Sequence, residues 1–435
     1  MSDAAPVTYR RVFRLWVPLA ATWLMVAIEG PFLAAIIARL DEPTFNLAAY
    51  GVAFAFGLVA EAPIIMILSA ATALIRDRDS FEKLRNFSYA LNLLITLGLL
   101  VMLWQPVYGW LSEGLLRLPR PVAELTHRAL VLLLPWPAAI GYRRFYQGLL
   151  IRQELTRRVA YGTVVRVVTM GGTALVLFKF FDIPGAMVGT ASLSTGVVLE
   201  SIATRFMAWG LADRLPAKSD DRLTYHRIID FYIPLALTST ISLAVHPMVS
   251  FSLGQSRLAL ESLAVYPVVT SLSFVFRSVA LSYQEVAITL LDGTRENFRT
   301  IARFAMVLAV VSTLAMIVIA FTPLAGVWFQ HISGLSDSLS ALSVPPLRMF
   351  CLIPFFSVLL AFQRAILVFG RTTRPLTVGT AIEVTGIIGL LFLNVKVLDL
   401  VGVVAAILAL MGGRLLGNAY MMVPVHRVVK DRGMY

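Results

Sequence analysis

The stretch LESLAVYPVVTSLSFVFRSVALSYQEVAITLL, residues 260–291, is long and apolar enough to cross a lipid bilayer as a helix. Arg277 lies near its middle, and eleven residues before it stands Tyr266, in LAVYPV. The pattern occurs again 216 positions earlier, where Tyr50 stands in LAAYGV and Glu61 follows eleven residues later in another apolar run. One helix therefore occurs twice, with a base in one copy and an acid in the other, which indicates two related halves.

The composition is that of an integral membrane protein. The chain has 435 residues, 58% of them hydrophobic, with a mean hydropathy of +0.80 and only 14% charged residues, which is too little polar surface for a soluble protein of this length. It has room for about a dozen spanning helices of about 20 residues each. The net charge of +12 is typical of basic loops beside a membrane, so we expect no nucleic-acid partner.

Hydropathy predicts an all-α membrane protein with twelve transmembrane helices in two pseudo-symmetric six-helix bundles. We divide the chain into an N-terminal bundle (1–212), a cytoplasmic linker (213–228) and a C-terminal bundle (229–435). The segments on the N-terminal side of the membrane hold 22 Lys and Arg residues against six on the other side, which predicts cytoplasmic termini. The predicted helices are 15–38, 47–75, 87–106, 126–150, 159–180, 185–210, 229–253, 260–291, 301–322, 344–369, 376–397 and 401–425.

The two halves repeat at a nearly constant offset along the whole chain. Six helices per half is an even number, so both halves enter the membrane from the same side. Such parallel repeats are related by an axis along the membrane normal, and substrate sites lie between them near mid-depth. The matched positions are Pro18 with Pro234, Pro31 with Pro247, Tyr50 with Tyr266, Arg128 with Arg348, Arg144 with Arg364, Gly162-Thr163 with Gly379-Thr380, Arg166 with Glu383, and Gly185 with Gly402.

Charge at membrane depth is the informative signal. Each such charge costs about 2.5–3.5 kcal/mol, so it normally faces a partner or a wet cavity. Nine bases against five acids leave a surplus of four positive charges, and every base is arginine, whose planar fork suits carboxylate and phosphate. The bases are Arg128, Arg143, Arg144, Arg166, Arg205, Arg277, Arg348, Arg364 and Arg414. The acids are Glu29, Glu61, Glu200, Glu285 and Glu383.

These residues supply the predicted site of a transporter for a small anion. Arg128, Arg205 and Arg348 lie near helix ends, where snorkelling to the interface is the alternative role. The predicted substrate-binding residues are Arg143, Arg144, Arg166, Arg277, Arg348, Arg364, Tyr50 and Tyr266. The predicted gating or ion-coupling residues are Glu29, Glu61, Glu200, Glu383 and His246, and the predicted hinges are Pro31 and Pro247, each of which interrupts its helix.

Two pairs of opposite charge occupy matching repeat positions, Glu61 with Arg277 and Arg166 with Glu383. Contact between the halves is one interpretation, and pairing within each half is the other. No phosphate loop, zinc motif or nucleophile elbow occurs, and the histidines lack ligand spacing, so we expect neither an enzyme nor a metal site nor a cofactor. Coupling to H⁺ or Na⁺ is the expected source of energy.

Several motifs resemble the progressive ankylosis (ANK) family: LAAYGVAFAF at 47–56, RDR at 76–78, VYPV at 265–268 and PPLRMFCLIP at 345–354. VPLAATW at 17–23 and QGLLIRQ at 147–153 extend the resemblance over about 15–425. The resemblance implies the MATE-like fold of twelve helices in two bundles, and export of pyrophosphate, ATP or citrate. Arg128 and Arg348 match basic positions of the family and Tyr50 and Tyr266 match its tyrosines, whereas Glu383 and Pro63 depart from it.

The sequence therefore predicts a monomeric secondary transporter in a bacterial cytoplasmic membrane, which moves a small polyanion by rocking its two bundles. A flippase for an anionic lipid-linked sugar is one alternative, and it requires an apolar side portal beside the arginines. A multidrug exporter is another, although surplus arginine repels its cationic substrates. A membrane scaffold or receptor is a third, and the short cytoplasmic segments argue against it.

Overall fold

A computed structural model describes residues 7–153, 155–217, 223–370, 372 and 374–434. The middle of the predicted linker, 218–222, lies outside the described residues. Within the described residues the chain is helical throughout, and the only strand-like pairing is a single bridge between Arg257 and Val401. The predicted all-helical class is confirmed, as is the approximate position of every predicted helix.

The helices are numbered α1 to α12 by predicted span, with the two parts of a broken helix marked a and b. Their bounds within the described residues are α1 Tyr9–Ile37, α2a Pro43–Glu61, α2b Ile67–Leu74, α3 Arg78–Leu103, α4a Arg120–Leu133, α4b Pro135–Arg152, α5 Thr156–Phe180, α6 Gly185–Met207, α7a Tyr225–Leu243, α7b Val245–Gly254, α8 Ala259–Leu290, α9 Arg295–Phe321, α10a Asp337–Met349, α10b Ile353–Phe369, α11 Arg374–Phe392 and α12 Gly402–Asp431.

Ten helices of the described chain are long and apolar enough to cross a membrane, and α10a with α10b makes an eleventh span if the 43° bend between them is counted as one crossing. The predicted span 126–150 is present as α4a and α4b, which carry five arginines between them and are correspondingly less apolar. The protein is therefore an integral membrane protein built from many apolar helices.

Four helices break at or just before a proline. Proline lacks an N–H group and clashes with the carbonyl four residues earlier, so the helix ends there. The prolines are Pro63 after α2a, Pro135 at the start of α4b, Pro247 in α7b and Pro354 in α10b. The predicted interruption at Pro247 is confirmed. The break before Pro354 divides a span that the sequence predicted as one helix, 344–369.

The predicted interruption at Pro31 is wrong, because α1 runs from Tyr9 to Ile37 with Pro31 inside it. Neighbouring helices can support a proline within a membrane helix. Here α8 packs closely against this part of α1, since a Cβ atom on Gly30 would lie 2.9 Å from Cβ of Ser271. A residue larger than glycine at position 30 would prevent this close approach. Gly30 in the sequence EGP therefore allows α1 and α8 to pack closely, in addition to any hinge role of Pro31.

The chain forms two compact units. The N unit is Ile36–Gln255, and the C unit combines Met1–Ala35 with Ser256–Tyr435. The first helix of each sequence half thus packs with the unit of the other half: α1 in the C unit and α7 in the N unit. The division at 1–212, 213–228 and 229–435 follows the sequence repeat and stays a prediction about that repeat, whereas the packing groups the helices differently.

The repeat is visible in the backbone of each unit. Glu42 before α2a and Leu258 before α8 both adopt the left-handed conformation, at φ 47° and 52°. Two π-helical turns, Trp110–Leu115 and Val327–Ile332, also lie 217 residues apart and have the same length. After each turn the same hydrogen bonds follow, Leu118 N–H to Ser112 and Leu335 N–H to Phe329. Local conformations that match this closely show that the halves share one structural plan.

Glycines set the same helix contact in both units. A Cβ atom on Gly196 of α6 would lie 3.1 Å from the carbonyl oxygen of Arg166 on α5. A Cβ atom on Gly413 of α12 would lie 2.7 Å from the carbonyl oxygen of Glu383 on α11. Small residues let membrane helices approach to backbone contact. These contacts place residues 166 and 383 beside the sixth helix of their own sequence half, α6 and α12.

Candidate functional site

Charged side chains gather inside each unit, and we name these groups separately. The N cluster is Glu61, Arg143, Arg144, Arg166 and Glu200, from α2a, α4b, α5 and α6. The C cluster is Arg277, Arg364, Glu383 and Arg414, from α8, α10b, α11 and α12. Positive charge exceeds negative charge in both clusters, by three arginines to two carboxylates and by three to one.

The N cluster contains a buried ion pair between Arg143 and Glu200. The Nη1 atom of Arg143 contacts Oε2 of Glu200, and Nε2 of Gln147 donates to Oε1 of the same carboxylate at 3.4 Å. Arg143 is 5% exposed and Glu200 is fully buried. Charges this deep are tolerated because each compensates the other. The pair therefore links α4b to α6, and Glu200 compensates the positive charge of Arg143.

Arg144 is the cationic centre of the N cluster. Its guanidinium interacts electrostatically with Glu61 and Glu200 and is repelled by Arg143 and Arg166. Its Nε atom is buried and has no hydrogen-bond partner, and the guanidinium forms no ion pair with any described residue. Glu61, at the end of α2a, is the acid that interacts electrostatically with Arg144 and is not engaged in the Arg143–Glu200 pair.

The position of Glu61 depends on the break in α2. After Glu61 the chain turns through 62–66, which frees backbone carbonyls inside the unit. Two hydroxyls of α7a satisfy them: Ser239 donates to the oxygen of Ala62 at 2.6 Å, and Tyr232 donates to the oxygen of Pro63. A broken membrane helix requires such substitute partners. α7a thus helps to hold Glu61 in place.

The C cluster repeats this plan with different partners. Oε1 of Glu383 lies 3.0 Å from Nε of Arg414, and their side chains are 12% and 16% exposed. Arg364 donates from Nη2 to the hydroxyl of Thr380 at 3.4 Å and interacts electrostatically with Arg414 and Glu383. A single carboxylate thus serves three arginines.

In the C cluster, Arg277 has no ion pair among the described residues, as is the case for Arg144 in the N cluster. Its Nε atom is buried and unbonded, and no described residue forms an ion pair with it. Its electrostatic neighbours are Arg414, Glu383 and Tyr266, all in the C unit. Each unit therefore holds one half-buried arginine whose N–H donors remain available to a ligand.

Other predicted residues lie outside the clusters. Tyr50 is buried and stacks on Phe54, with 6.1 Å between ring centroids, as a packing residue of α2a. Arg348 is exposed, donates to the carbonyl of Ala320 at 3.1 Å and lies over the ring of Phe321, so it caps the end of α9. The predicted substrate-binding roles of Tyr50 and Arg348 stay predictions.

The remaining predicted residues stay predictions as coupling and hinge residues. Glu29 is buried in α1, and His246 with Pro247 begins α7b directly after the break in α7. In the described part of the chain, no three His, Cys, Asp or Glu side chains are placed to hold a metal ion.

Sequence reasoning did not assign a site role to Arg414 of the C cluster, nor to Gln147 and Thr380, which hydrogen-bond to cluster residues. Arg414 was recognised at membrane depth but matched no base or acid of the first half. The usable signal was its position directly after Gly413, because the glycine contact places α12 against the backbone of Glu383. Gln147 lies one turn beyond Arg143 on the same face of α4b, where a polar residue in an apolar helix indicates a partner.

The fold was compared with known proteins. No protein-family model and no curated protein matches the sequence. Solved structures do match. The inward-facing conformation of a multidrug resistance MATE family transporter of the MOP superfamily has a TM-score of 0.73 at 13% identity, covering 99% of this chain and 97% of that one. The lipid II flippase MurJ in an inward closed conformation has a TM-score of 0.71 at 13% identity, covering 94% and 87%.

A third similar structure is a MOP superfamily transporter from Pyrococcus furiosus Vc1 (DSM3638), described as having a binding pocket of reverse polarity that suggests a different function. Its TM-score is 0.61 at 14% identity, and 96% of each chain is covered. The predicted MATE-like fold is thereby confirmed. The similar structures named above are transporters and a flippase rather than enzymes.

Proposed function

We propose that this protein is a secondary transporter that exports small organic or phosphate-containing anions, with Arg144 and Arg277 as the principal binding groups. The observation that carries the proposal is that each unit holds one half-buried arginine whose Nε atom is buried without a hydrogen-bond partner and which forms no ion pair among the described residues. A charge at membrane depth without a partner is costly, so it is retained where a ligand completes it.

The chemistry of the clusters favours an anion over a cation. Both clusters have more arginines than carboxylates, so a cationic solute would be repelled. Arginine presents planar, paired N–H donors that match carboxylate and phosphate oxygens bidentately. Arg166 beside Arg144, and Arg364 in the C cluster, add further positive charge for a substrate with several negative charges. The anions that we propose, pyrophosphate, nucleotide and citrate, follow from this charge and from the resemblance to the ANK family.

The mechanism that we propose is alternating access by rocking of two bundles, as befits a fold shared with MATE family transporters. Glu61 is the proposed coupling group for H⁺ or Na⁺, because it is the carboxylate of the N cluster without a direct ion pair among the described residues. We further propose a monomer in a bacterial cytoplasmic membrane with both termini in the cytoplasm, on the strength of the asymmetric distribution of Lys and Arg.

A flippase for an anionic lipid-linked sugar is the second candidate. It is favoured by the likeness to the lipid II flippase MurJ over 94% of this chain. Such a substrate carries phosphate, so the same arginines would bind it. The two candidates differ in whether the anion enters from water or from the lipid layer.

Transport by purified protein in liposomes tests the proposal. We expect uptake of labelled pyrophosphate, nucleotide or citrate, reduced roughly tenfold or more in Arg144→Gln and Arg277→Gln, as for loss of a charge-assisted hydrogen bond. Arg144→Lys and Arg277→Lys, which keep the charge, should retain part of the activity. Arg303→Gln is the matched control, since Arg303 is an exposed arginine of α9.

Two results would contradict the proposal. Movement of a lipid-linked anion across the bilayer, with no uptake of the three soluble anions, would establish the flippase instead. An equal loss of folded protein in the Gln and Lys variants would assign the two arginines to structure.

A further inference from the structure

A second arginine-rich site lies in the N unit, apart from the N cluster. It is a cleft of about 270 Å³ where the start of α3, the end of α4b and the end of α6 come together. We call it the arginine–aromatic cleft and define it by Arg78, Phe81, Arg85, Tyr146, Arg205 and Trp209. Nothing in the proposed transport mechanism uses it.

Arg205 is the central residue of this cleft. Its guanidinium carbon lies 5.1 Å from the ring centroid of Tyr146 and 5.1 Å from that of Trp209. Cation–π attraction acts through ring faces, so it holds the guanidinium without using its N–H donors. Among the described residues no hydrogen bond or ion pair takes up those donors. The guanidinium of Arg205 is therefore held in place while its N–H donors remain available to a ligand.

The aromatic support of Arg205 is itself fixed. Tyr146 is 4% exposed, and its hydroxyl lies 3.2 Å from the hydroxyl of Tyr89. Its ring also packs edge-on against Phe145, with 5.1 Å between centroids. A side chain locked by packing and hydrogen bonding keeps its neighbour positioned before a ligand arrives. The cleft is thus preorganised.

Of the three arginines in the cleft, two have no carboxylate partner among the described residues and can bind an anionic ligand. Arg78 lies 3.6 Å from Glu82 and 3.7 Å from Asp213, which are the two acids of the cleft, so its charge is compensated. Arg85 lies over the ring of Phe81 at 5.8 Å and otherwise makes only a long 3.4 Å bond to the neighbouring Asn86. Arg85 and Arg205 therefore present uncompensated positive charge.

The aromatic residues place this cleft at the edge of the apolar layer. Trp209 and Phe206 are 68% and 66% exposed and stack on each other at the end of α6. Exposed tryptophan at the end of a spanning helix is typical of the level of the lipid headgroups. Basic pockets between helices at that level bind anionic headgroups. A phosphate group is thus the anion that this site would meet most often.

We propose that the arginine–aromatic cleft binds a phosphate group through Arg205 and Arg85, supplied by an anionic phospholipid headgroup or by a soluble phosphate. Native mass spectrometry of the purified protein in detergent tests this. The probes are short-chain phosphatidylglycerol, short-chain phosphatidylcholine and inorganic phosphate. We expect retention of phosphatidylglycerol over phosphatidylcholine, with affinity reduced roughly tenfold in Arg205→Gln.

The controls separate the sources and the roles. Equal, Arg205-dependent binding of inorganic phosphate would support the site and identify a soluble ligand. Arg205→Lys should keep part of the affinity, and Arg303→Gln, at an exposed arginine of the C unit, should keep all of it. If Arg205→Gln fails to fold, Arg85→Gln gives the same test, because Arg85 is not enclosed by rings. Binding of every probe unchanged in folded Arg205→Gln and Arg85→Gln would overturn the proposal.

Discussion

Oε1 of Glu383 on α11 lies 3.0 Å from Nε of Arg414 on α12, and both side chains are largely buried. Breaking one side of a buried ion pair strands the other charge, at a cost of about 3–5 kcal/mol. We therefore expect Glu383→Gln and Arg414→Gln each to lower the melting temperature in detergent. The double variant should melt above Glu383→Gln, because it removes one of the three arginines that Glu383 otherwise compensates.

The matched control for this pair lies in the same unit. Arg257 and Asp399 are 3.8 Å apart but 63% and 74% exposed, and exposed pairs contribute at most about 1 kcal/mol. Asp399→Asn should therefore leave the melting temperature nearly unchanged. Should Glu383→Gln prove as mild as Asp399→Asn, the buried pair would carry no such energy.

A second prediction concerns the hydroxyls that cover the break in α2. Tyr232→Phe and Ser239→Ala each remove a donor from a buried carbonyl, which costs about 1–3 kcal/mol. We expect both variants to melt at a lower temperature than the wild type. Thr238→Ala is the control, because the Thr238 hydroxyl only bonds back to Pro234 on the exposed side of α7a. Identical melting of all three variants would contradict the role of α7a in supporting the break.

A third prediction concerns the loop between α8 and α9. Asp292 accepts from the backbone N–H and hydroxyl of Thr294, at 2.9 and 2.8 Å, and from Nδ2 of Asn297 at 2.6 Å. Asn297 in turn accepts from the backbone N–H of Val7 at 2.8 Å. Burial raises the pKa of Asp292, but the hydrogen bonds from Thr294 and Asn297 outweigh it, so the pKa lies below its ordinary 3.8.

A carboxyl group with a depressed folded pKa stabilises the fold above its unfolded pKa and loses this contribution as the pH falls through the folded pKa. Asp292→Asn should therefore melt below the wild type at neutral pH, by less than about 1 kcal/mol because the carboxylate is mostly exposed. The difference should shrink below about pH 4. Asp182→Asn, at an exposed loop acid, is the control, and a difference that grows on acidification would refute the assignment.

The repeat explains how much of the fold could be predicted. Matched prolines and glycines report backbone conformation, which local sequence dictates, so Pro247 marked a real break and Gly185 with Gly402 marked real equivalents, since each begins the sixth helix of its half. Pro31 failed as a marker because the packing of Gly30 on Ser271, a contact distant in sequence, keeps α1 continuous. The exchange of α1 and α7 between the units has the same origin, since no local pattern records which bundle a helix joins.

The sequence predicted which charged residues lie at membrane depth, but not which of them form ion pairs. Hydropathy identified the charges at membrane depth, because each interrupts an apolar run. Which charged residues form ion pairs depends on the rotation of each helix about its axis. The repeat gives information on that rotation only for residues that have a counterpart in the other half. Glu200 and Arg414 are unmatched by the repeat, and they are the residues that form the two tight ion pairs, with Arg143 and Glu383.

The last prediction is the bridge between Glu61 and Arg277. These residues lie eleven positions, about 16 Å of helix rise, beyond matched tyrosines on matched helices, so a two-fold repeat would place them at the same depth. Within its own unit Glu61 has Arg144, Arg143 and Arg166 as electrostatic neighbours, and Arg277 has Arg414 and Glu383. Each charge therefore has a local alternative to the bridge.

These surroundings decide which experiment is informative. Exchanging the charges would place a fourth arginine among those of the N cluster, so Glu61→Arg with Arg277→Glu should restore little of the transport lost in Glu61→Gln or Arg277→Gln. Crosslinking avoids this problem because cysteine is neutral. A bridge that opens during transport acts as a gate, so Glu61→Cys with Arg277→Cys, in a Cys351→Ala background, should crosslink in one conformational state only. Absence of crosslinking in both the substrate-loaded and the substrate-free state, with folded protein, would mean that each charge serves its own unit.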